Sequence, residues 1–319
     1  MTGHAPTESA PTESAPTESA PTLGPFMEAE LTSQPGTWTR AIAQAHQEDL
    51  LPADGERVAV IGCGTSWFMA QSYAAAREAG GRGVTDAFAA SEAFLGAGRG
   101  YDAVIAITRS GTTTEVLDVL AELKGAVRTV ALVGDTSSPI TALADAVVEL
   151  PYADEKSVVQ TRFATTALAY LLTSVGVDLS AAVEDARAAV TAPVEQELID
   201  AEQFTFLGTG WTVGLAHEAG LKMREAVQGW TESYPAKEYR HGPISIAAPN
   251  RVTWMFGEQP KGLDADMEKT GARYINNDVH PLAELARVHR VTLERARARG
   301  MNPDLPRNLT RSVILEGQA

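Results

Sequence analysis

The residues best placed to do chemistry lie in Ile107-Thr108-Arg109-Ser110-Gly111-Thr112-Thr113-Thr114-Glu115. Five hydroxyls and one guanidinium are gathered there. The apolar run Ala103 to Ile107 precedes them and reads as a buried parallel strand. Glu115 to Leu123 follows with helical spacing. A strand-to-helix corner points backbone N–H groups and the positive end of the helix dipole into one space, so it can hold a phosphate. Thr112 and Glu115 also match a capping box, which gives part of the hydroxyl content a structural role. Capping does not account for Arg109, Ser110 and Thr113 together. Neutral donors and N–H groups can hold a dianion without the lysine-bearing P-loop, which this chain lacks.

Other segments carry weaker signals. In Gly62-Cys63-Gly64-Thr65-Ser66 the glycines let backbone approach a ligand, and Thr65 and Ser66 can donate hydrogen bonds. The dinucleotide fingerprint needs a glycine where Trp67 stands, and a plain tight turn accounts for the corner equally well. Glu155 to Arg162 sits between a strand and a helix, at the sheet end suited to substrate contacts, with Val158 and Gln160 as candidates. The alternative there is a polar loop with Ser157 or Thr161 as N-cap. Glu218, Lys222 and Glu225 fall at i, i+4 and i+7 on one helix face. On spacing alone they read as a solvated ion ladder. His241-Gly242-Pro243 precedes the apolar run Ile244 to Ala248, and a lone histidine before a turn reads as structural.

These residues need a scaffold, and the pattern supplies one. Strands are expected at Val58 to Ile61, Val84 to Ala90, Ala103 to Ile107, Thr129 to Val133 and Val147 to Leu150. Helices are expected at Trp38 to Leu51, Ser66 to Glu78, Glu115 to Leu123, Ile140 to Ala144 and Thr161 to Thr173. Alternation of this kind predicts an α/β fold, a doubly wound parallel sheet with helices on both faces. Ligands bind such sheets beyond the carboxyl ends of the strands. A second βα series starts near Phe204. Gly208-Thr209-Gly210-Trp211-Thr212 echoes the first glycine corner, and Arg224-Glu225-Ala226 echoes Arg77-Glu78-Ala79. The echo suggests duplication. The expected units are 1–36, a disordered tail; 37–185, a first domain with the phosphate site; and 186–319, a second domain. The tail contains Ala-Pro-Thr-Glu-Ser three times within residues 5–22, with low hydrophobicity and recurrent proline.

Composition bounds the function. The chain has 319 residues, 44% of them apolar, which suits one large or two ordinary α/β domains. No apolar run approaches the roughly 20 residues needed to cross a bilayer. The N-terminus lacks the basic-then-apolar pattern of a secretory signal. The single cysteine, Cys63, excludes an internal disulfide and fits a cytoplasmic location. A formal charge of −15 argues against general nucleic-acid binding and requires local groups to hold an anionic substrate. No cysteine–histidine ligand spacing is present, and no metal or cofactor is expected.

Taken together, these motifs resemble the sugar isomerase (SIS) family. The likeness is to tandem-SIS proteins such as the isomerase half of glutamine–fructose-6-phosphate aminotransferase and AgaS-type amino-sugar-phosphate isomerase/deaminases. It rests on Gly62-Cys63-Gly64-Thr65-Ser66, Ser91-Glu92, Thr108-Arg109-Ser110-Gly111-Thr112-Thr113, Leu221-Lys222-Met223-Arg224-Glu225, Arg240-His241-Gly242-Pro243 and Pro306-Arg307-Asn308-Leu309, in that order. The resemblance implies two flavodoxin-like αβα sandwiches. It implies that Ser66, Ser110 and Thr113 hold a sugar 6-phosphate, with Thr108 and Arg109 where a relative has serine and glutamine. Glu225 aligns with the glutamate that moves a proton between C1 and C2. His241 aligns with a ring-opening histidine that reaches the site from the neighbouring subunit, which implies a homodimer with shared sites. Lys222 would then sit near Glu225 and help keep it ionised.

One departure bears on the reaction. The aminotransferase has an imine-forming lysine where this chain has Arg311, and a guanidinium is a poor imine former. No glutaminase domain is read here, so glutamine-dependent amination is not expected. The remaining chemistry starts with removal of the C2 proton of an open-chain aldose by Glu225, giving an enediolate. Reprotonation at C1 leads to the ketose, with loss of ammonia from a C2 amine. Expulsion of the C3 hydroxyl gives a dehydrated product. Arg311 could steady the developing oxyanion in either case. The expected substrate is glucosamine 6-phosphate or its N-acetyl form. A sugar-phosphate-binding regulator without turnover is the alternative.

Overall fold

Strands in the first half are apolar on both faces because helices cover both faces. In Val58–Gly62 (β1), Ala103–Thr108 (β3) and Arg128–Val133 (β4), successive residues enter two different cores. Val58, Val60, Ile105, Ile107, Val130 and Leu132 face one core. Ala59, Ile61, Val104, Ala106, Ala131 and Val133 face the other. Period-two alternation of apolar with apolar thus marks a sheet buried twice.

The computed structural model describes Met1, residues 22–95 and residues 99–315. Two parallel sheets are present among them. The first has the order β2-β1-β3-β4-β5, with β2 at Thr85–Ala89 and β5 at Ala146–Glu149. Its register pairs Ile61 with Ala106 and Thr108 with Val133. The helices between and after its strands are Thr65–Ala79 (α2), Thr114–Leu123 (α3), Ile140–Leu143 (α4) and Arg162–Ser174 (α5). A helix at Pro25–Ala45 (α1) precedes the sheet. Ser180–Ala189 (α6) and Gln196–Asp200 (α7) lead to the second sheet.

That sheet has the order β7-β6-β8-β9, from Thr231–Pro235, Gln203–Gly208, Arg251–Phe256 and Arg273–Ile275. Its helices are Thr212–Val227 (α8), Leu263–Glu268 (α9) and Pro281–Ala298 (α10). In both sheets the first strand of the series lies second in order, between its successor and the third strand. This is the reversal point at which doubly wound sheets open a crevice.

Helix α8 joins the halves. It packs on β6 and β7 of its own sheet and on α2 of the first. Gly214 permits this approach: a Cβ there would lie 2.3 Å from both the Phe68 carbonyl oxygen and the Ser72 hydroxyl. One hydrophobic core runs through the contact, including Met69, Tyr73, Leu215, Ala219 and Met223.

Two expectations need correction at the N-terminal side. The repeat up to residue 21 lies outside the described residues, but α1 begins at Pro25, inside the segment expected to be disordered to residue 36. The helix expected at Trp38 to Leu51 runs instead from Pro25 to Ala45. Its face of Met27, Leu31, Trp38 and Ala41 is buried, chiefly against α5, and Pro35 lies within it. No helix among the described residues is long and apolar enough to cross a membrane.

Candidate active site

Two glycines shape the corners. Gly64 takes φ 54° ahead of α2, and Gly111 takes φ 61° in the bend after β3. Both are left-handed, where a Cβ is disfavoured. At Gly111 it would also collide with Ser138 Oγ, 1.9 Å away. Gly64 faces α8, since a Cβ on it would meet Leu221 Cδ2 at 3.8 Å. The first corner of one unit therefore lies beside the last turns of α8, which carries Glu225.

One cavity of about 200 Å³ opens between these parts. Thr65, Ser66, Thr108, Ser110 and Thr113 line its first-domain side. Val158 and Gln160 line it from the loop before α5, Glu225 from α8, and Arg109 and Arg311 complete the candidates it gathers. Cys63 also lines it. Burial, aided by the nearby Glu115 carboxylate, pushes that thiol up to about 11, so it stays protonated at neutral pH.

The two arginines are already engaged. Arg109 is 4% exposed and donates from Nη1 to the carbonyl of Ser157 at 2.9 Å and from Nη2 to the carbonyl of Arg311. Arg311 pairs with Asp154 and donates to the carbonyl of Glu155. Both guanidiniums hold backbone around the cavity. Thr108 Oγ1 accepts the N–H of Gly111 at 3.2 Å and fixes the bend. Hydroxyls and backbone amides are further phosphate-type donors at this corner.

The capping box is not formed. Thr113 is the N-cap of α3 without a side-chain cap bond, and the Thr112 hydroxyl donates to Ser312 Oγ at 3.0 Å. Neither Ser157 nor Thr161 caps α5 through its hydroxyl. The wholly buried Glu155 does so, accepting the N–H groups of Thr161 and Arg162 at 2.7 Å and of Phe163 at 3.0 Å. A carboxylate at a helix N-terminus is favourable in both charge and hydrogen bonding.

The ion ladder on α8 is not solvated. Glu218 and Lys222 are fully buried, and the Glu225 side chain is 20% exposed. Lys222 Nζ contacts Glu225 Oε2 and lies 3.8 Å from Glu218 Oε1. Burial opposes its charge, but the two carboxylates outweigh that and hold the ammonium above its usual value. Burial pushes Glu218 up to about 7 against the pull of Lys222. His289 of α10 sits 3.5 Å from Glu218, with Gln34 of α1 3.4 Å from its other ring nitrogen. Burial and the Lys222 charge push His289 down to about 3, so it is neutral. Lys222 therefore stands behind Glu225, outside the cavity lining.

His241 lies apart. It is exposed, in the turn Glu238–His241, and does not line this cavity. Residues that the sequence reading did not single out are Glu155, His289 and the C-terminal Ser312 and Val313, the last two of which line the cavity. The motif Pro306-Arg307-Asn308-Leu309 and Arg311 are the nearby sequence signals for that segment.

Residues 53–175 match the family model described as the SIS domain. The glutamine–fructose-6-phosphate aminotransferase [isomerizing] of Sulfurisphaera tokodaii is 26% identical over 300 residues, covering 82% of this chain and 51% of that protein. The chain thus spans about half the length of that relative. Glucosamine-6-phosphate deaminase from Thermotoga maritima superposes with a TM-score of 0.77 at 22% identity, over 91% of this chain and 100% of that one. Tagatose-6-phosphate ketose/aldose isomerase from Escherichia coli gives 0.75 at 17% identity, over 93% and 98%. These two likenesses show a shared fold.

Proposed function

The chain carries a SIS domain over residues 53–175, and from that premise we propose that it is a sugar-phosphate enzyme acting on a hexosamine 6-phosphate. The observation that carries this reading is the placement of Glu225, with Lys222 against it, in one cavity with Ser66, Ser110 and Thr113. A base and an anion-holding corner in one cavity fit proton abstraction from a phosphorylated sugar.

The hydroxyls of Ser66, Ser110 and Thr113 and the amides opening α3 would receive the phosphate. His241 would open the sugar ring from a second copy of the chain, which accords with its exposure and with its not lining its own cavity. The Glu225 carboxylate then takes the C2 proton, made acidic by the C1 carbonyl, and a C1 enolate with nitrogen on C2 forms. Glu218 keeps Lys222 charged while Glu225 holds the proton, so the ammonium is available for Glu225 to ionise again.

Return of the proton to C1 gives a ketose imine when C2 carries an amine. Water hydrolyses that imine and ammonia leaves. With an N-acetyl group the amide nitrogen cannot readily become an imine, and loss of the C3 hydroxyl as water is the open route. Amination through a protein-bound imine is disfavoured, because Arg311 stands where a lysine would be needed.

Mass spectrometry on a panel of hexose and hexosamine 6-phosphates tests the reading. Conversion of a hexosamine 6-phosphate, with loss of ammonia or of water, supports it. Turnover of neutral hexose 6-phosphates alone, or of nothing in the panel, contradicts it.

A further inference from the structure

The C-terminal segment 309–315 crosses the phosphate corner. The Ser312 hydroxyl receives hydrogen bonds from Ser110 Oγ at 3.2 Å and Thr112 Oγ1 at 3.0 Å, and lies 3.4 Å from Thr113 Oγ1. Two acceptances and one donation exhaust a serine hydroxyl. The next residue continues the pattern. The N–H of Thr114, at the opening of α3, donates to the carbonyl of Val313 at 3.2 Å. Leu315 N–H returns a bond to Thr114 Oγ1 at 3.0 Å. An oxygen of the protein therefore stands where three hydroxyls converge, and a second stands on a helix N-terminal amide. A phosphate oxygen would need the same donors.

We propose that Ser312 is a stand-in for the substrate phosphate, and that residues 312–315 must leave the corner before phosphate can enter. This rests on the phosphate reading of that corner. Two further observations favour it. The cavity with the segment in place is about 200 Å³, below the roughly 300–1,000 Å³ typical of ligand sites. The segment is also weakly held: Val313, Ile314 and Leu315 are 52%, 65% and 50% exposed. A piece of chain that buries little apolar surface opens at low cost. Its anchor lies upstream, in the Arg311–Asp154 pair and the Arg109 bond to the Arg311 carbonyl. Residues 312–315 can thus swing while residue 311 stays fixed.

The test uses the full chain with inorganic phosphate as probe, followed by calorimetry and by amide hydrogen exchange. Ser312→Ala removes the competitor, and phosphate affinity should rise about 3- to 10-fold, the size of one or two net hydrogen bonds. Saturating phosphate should speed exchange at the Leu315 amide in the unaltered protein. Unchanged or weaker binding by Ser312→Ala, or slower exchange at Leu315, overturns the proposal, since either makes Ser312 a clamp or a bystander. Ser110→Ala separates the two readings. It should weaken phosphate binding whether or not the segment competes. If it has no effect, or no variant binds phosphate, the corner itself is not the phosphate site.

Discussion

Lys222 Nζ touches Glu225 Oε2 from the same face of α8, with no exposed surface on the lysine side chain. A buried ammonium between two carboxylates on one helix is costly unless each charge is compensated. Glu218 and Glu225 share that task. Glu225 is thereby tied to an internal charge and to the packing of α8.

Lys222→Met should expose this dependence. It leaves Glu218 buried without its cation, a loss of about 3–5 kcal/mol when the carboxyl is ionised. Glu218 is already held up to about 7, and losing Lys222 raises it further. At pH 6 the carboxyl takes a proton and the penalty shrinks. Urea denaturation at pH 6 and pH 9 should therefore give a larger stability loss at pH 9. Equal losses would mean that Glu218 does not titrate in the fold.

His289 gives the opposite slope. Its folded value, about 3, lies below the ordinary 6.5, because burial and Lys222 disfavour the cation. Its stabilising share is whole above pH 6.5 and is lost as the pH falls through 6.5 toward 3. Unfolding midpoints of His289→Gln should fall less than those of the unaltered protein between pH 7 and pH 4.5. Parallel curves would show that His289 contributes nothing to the acid limb.

Gly214→Ala should destabilise the protein although it improves helix propensity by about 1 kcal/mol. The new methyl would sit 2.3 Å from the Phe68 carbonyl oxygen and from Ser72 Oγ. Backbone of α2 must move, and overpacking of this kind costs about 1–3 kcal/mol. A fall in Tm of several degrees is expected, with lost activity because α8 carries Glu225. A raised Tm would mean that α2 and α8 pack more loosely than the distances indicate.

The strands of the first sheet were legible in the sequence because each is bracketed by turn residues and has one character along its length, whereas the second sheet was legible only as a βα series starting near Phe204. Expected and observed limits differ by a residue or so at β1, β3 and β4. The hydroxyl-rich corner between β3 and α3 was legible for the same reason: it occupies one continuous stretch. What escaped depends on distant chain. The burial of Glu218 and Lys222 is set by α10, where His289 lies 71 positions beyond Glu218. Spacing along α8 says that the charges share a face, not what covers it. Glu155 caps a helix six residues ahead through a loop whose shape follows from contacts with Glu30 and Arg311. The start of α1 was obscured by Pro35 and by the polar run Thr32, Ser33 and Gln34 on a helix whose apolar face is narrow.

Isotope exchange reads out whether Glu225 moves a sugar proton. Glucosamine 6-phosphate and its N-acetyl form are incubated with the protein in D₂O and followed by NMR. Deuterium is expected at C2 of recovered substrate or at C1 of a product. Glu225→Gln should slow incorporation by at least about 10²-fold, the size of general-base catalysis, while phosphate binding persists. Wild-type protein that binds these sugars without incorporating deuterium, or a Glu225→Gln variant that exchanges at the full rate, would contradict that role.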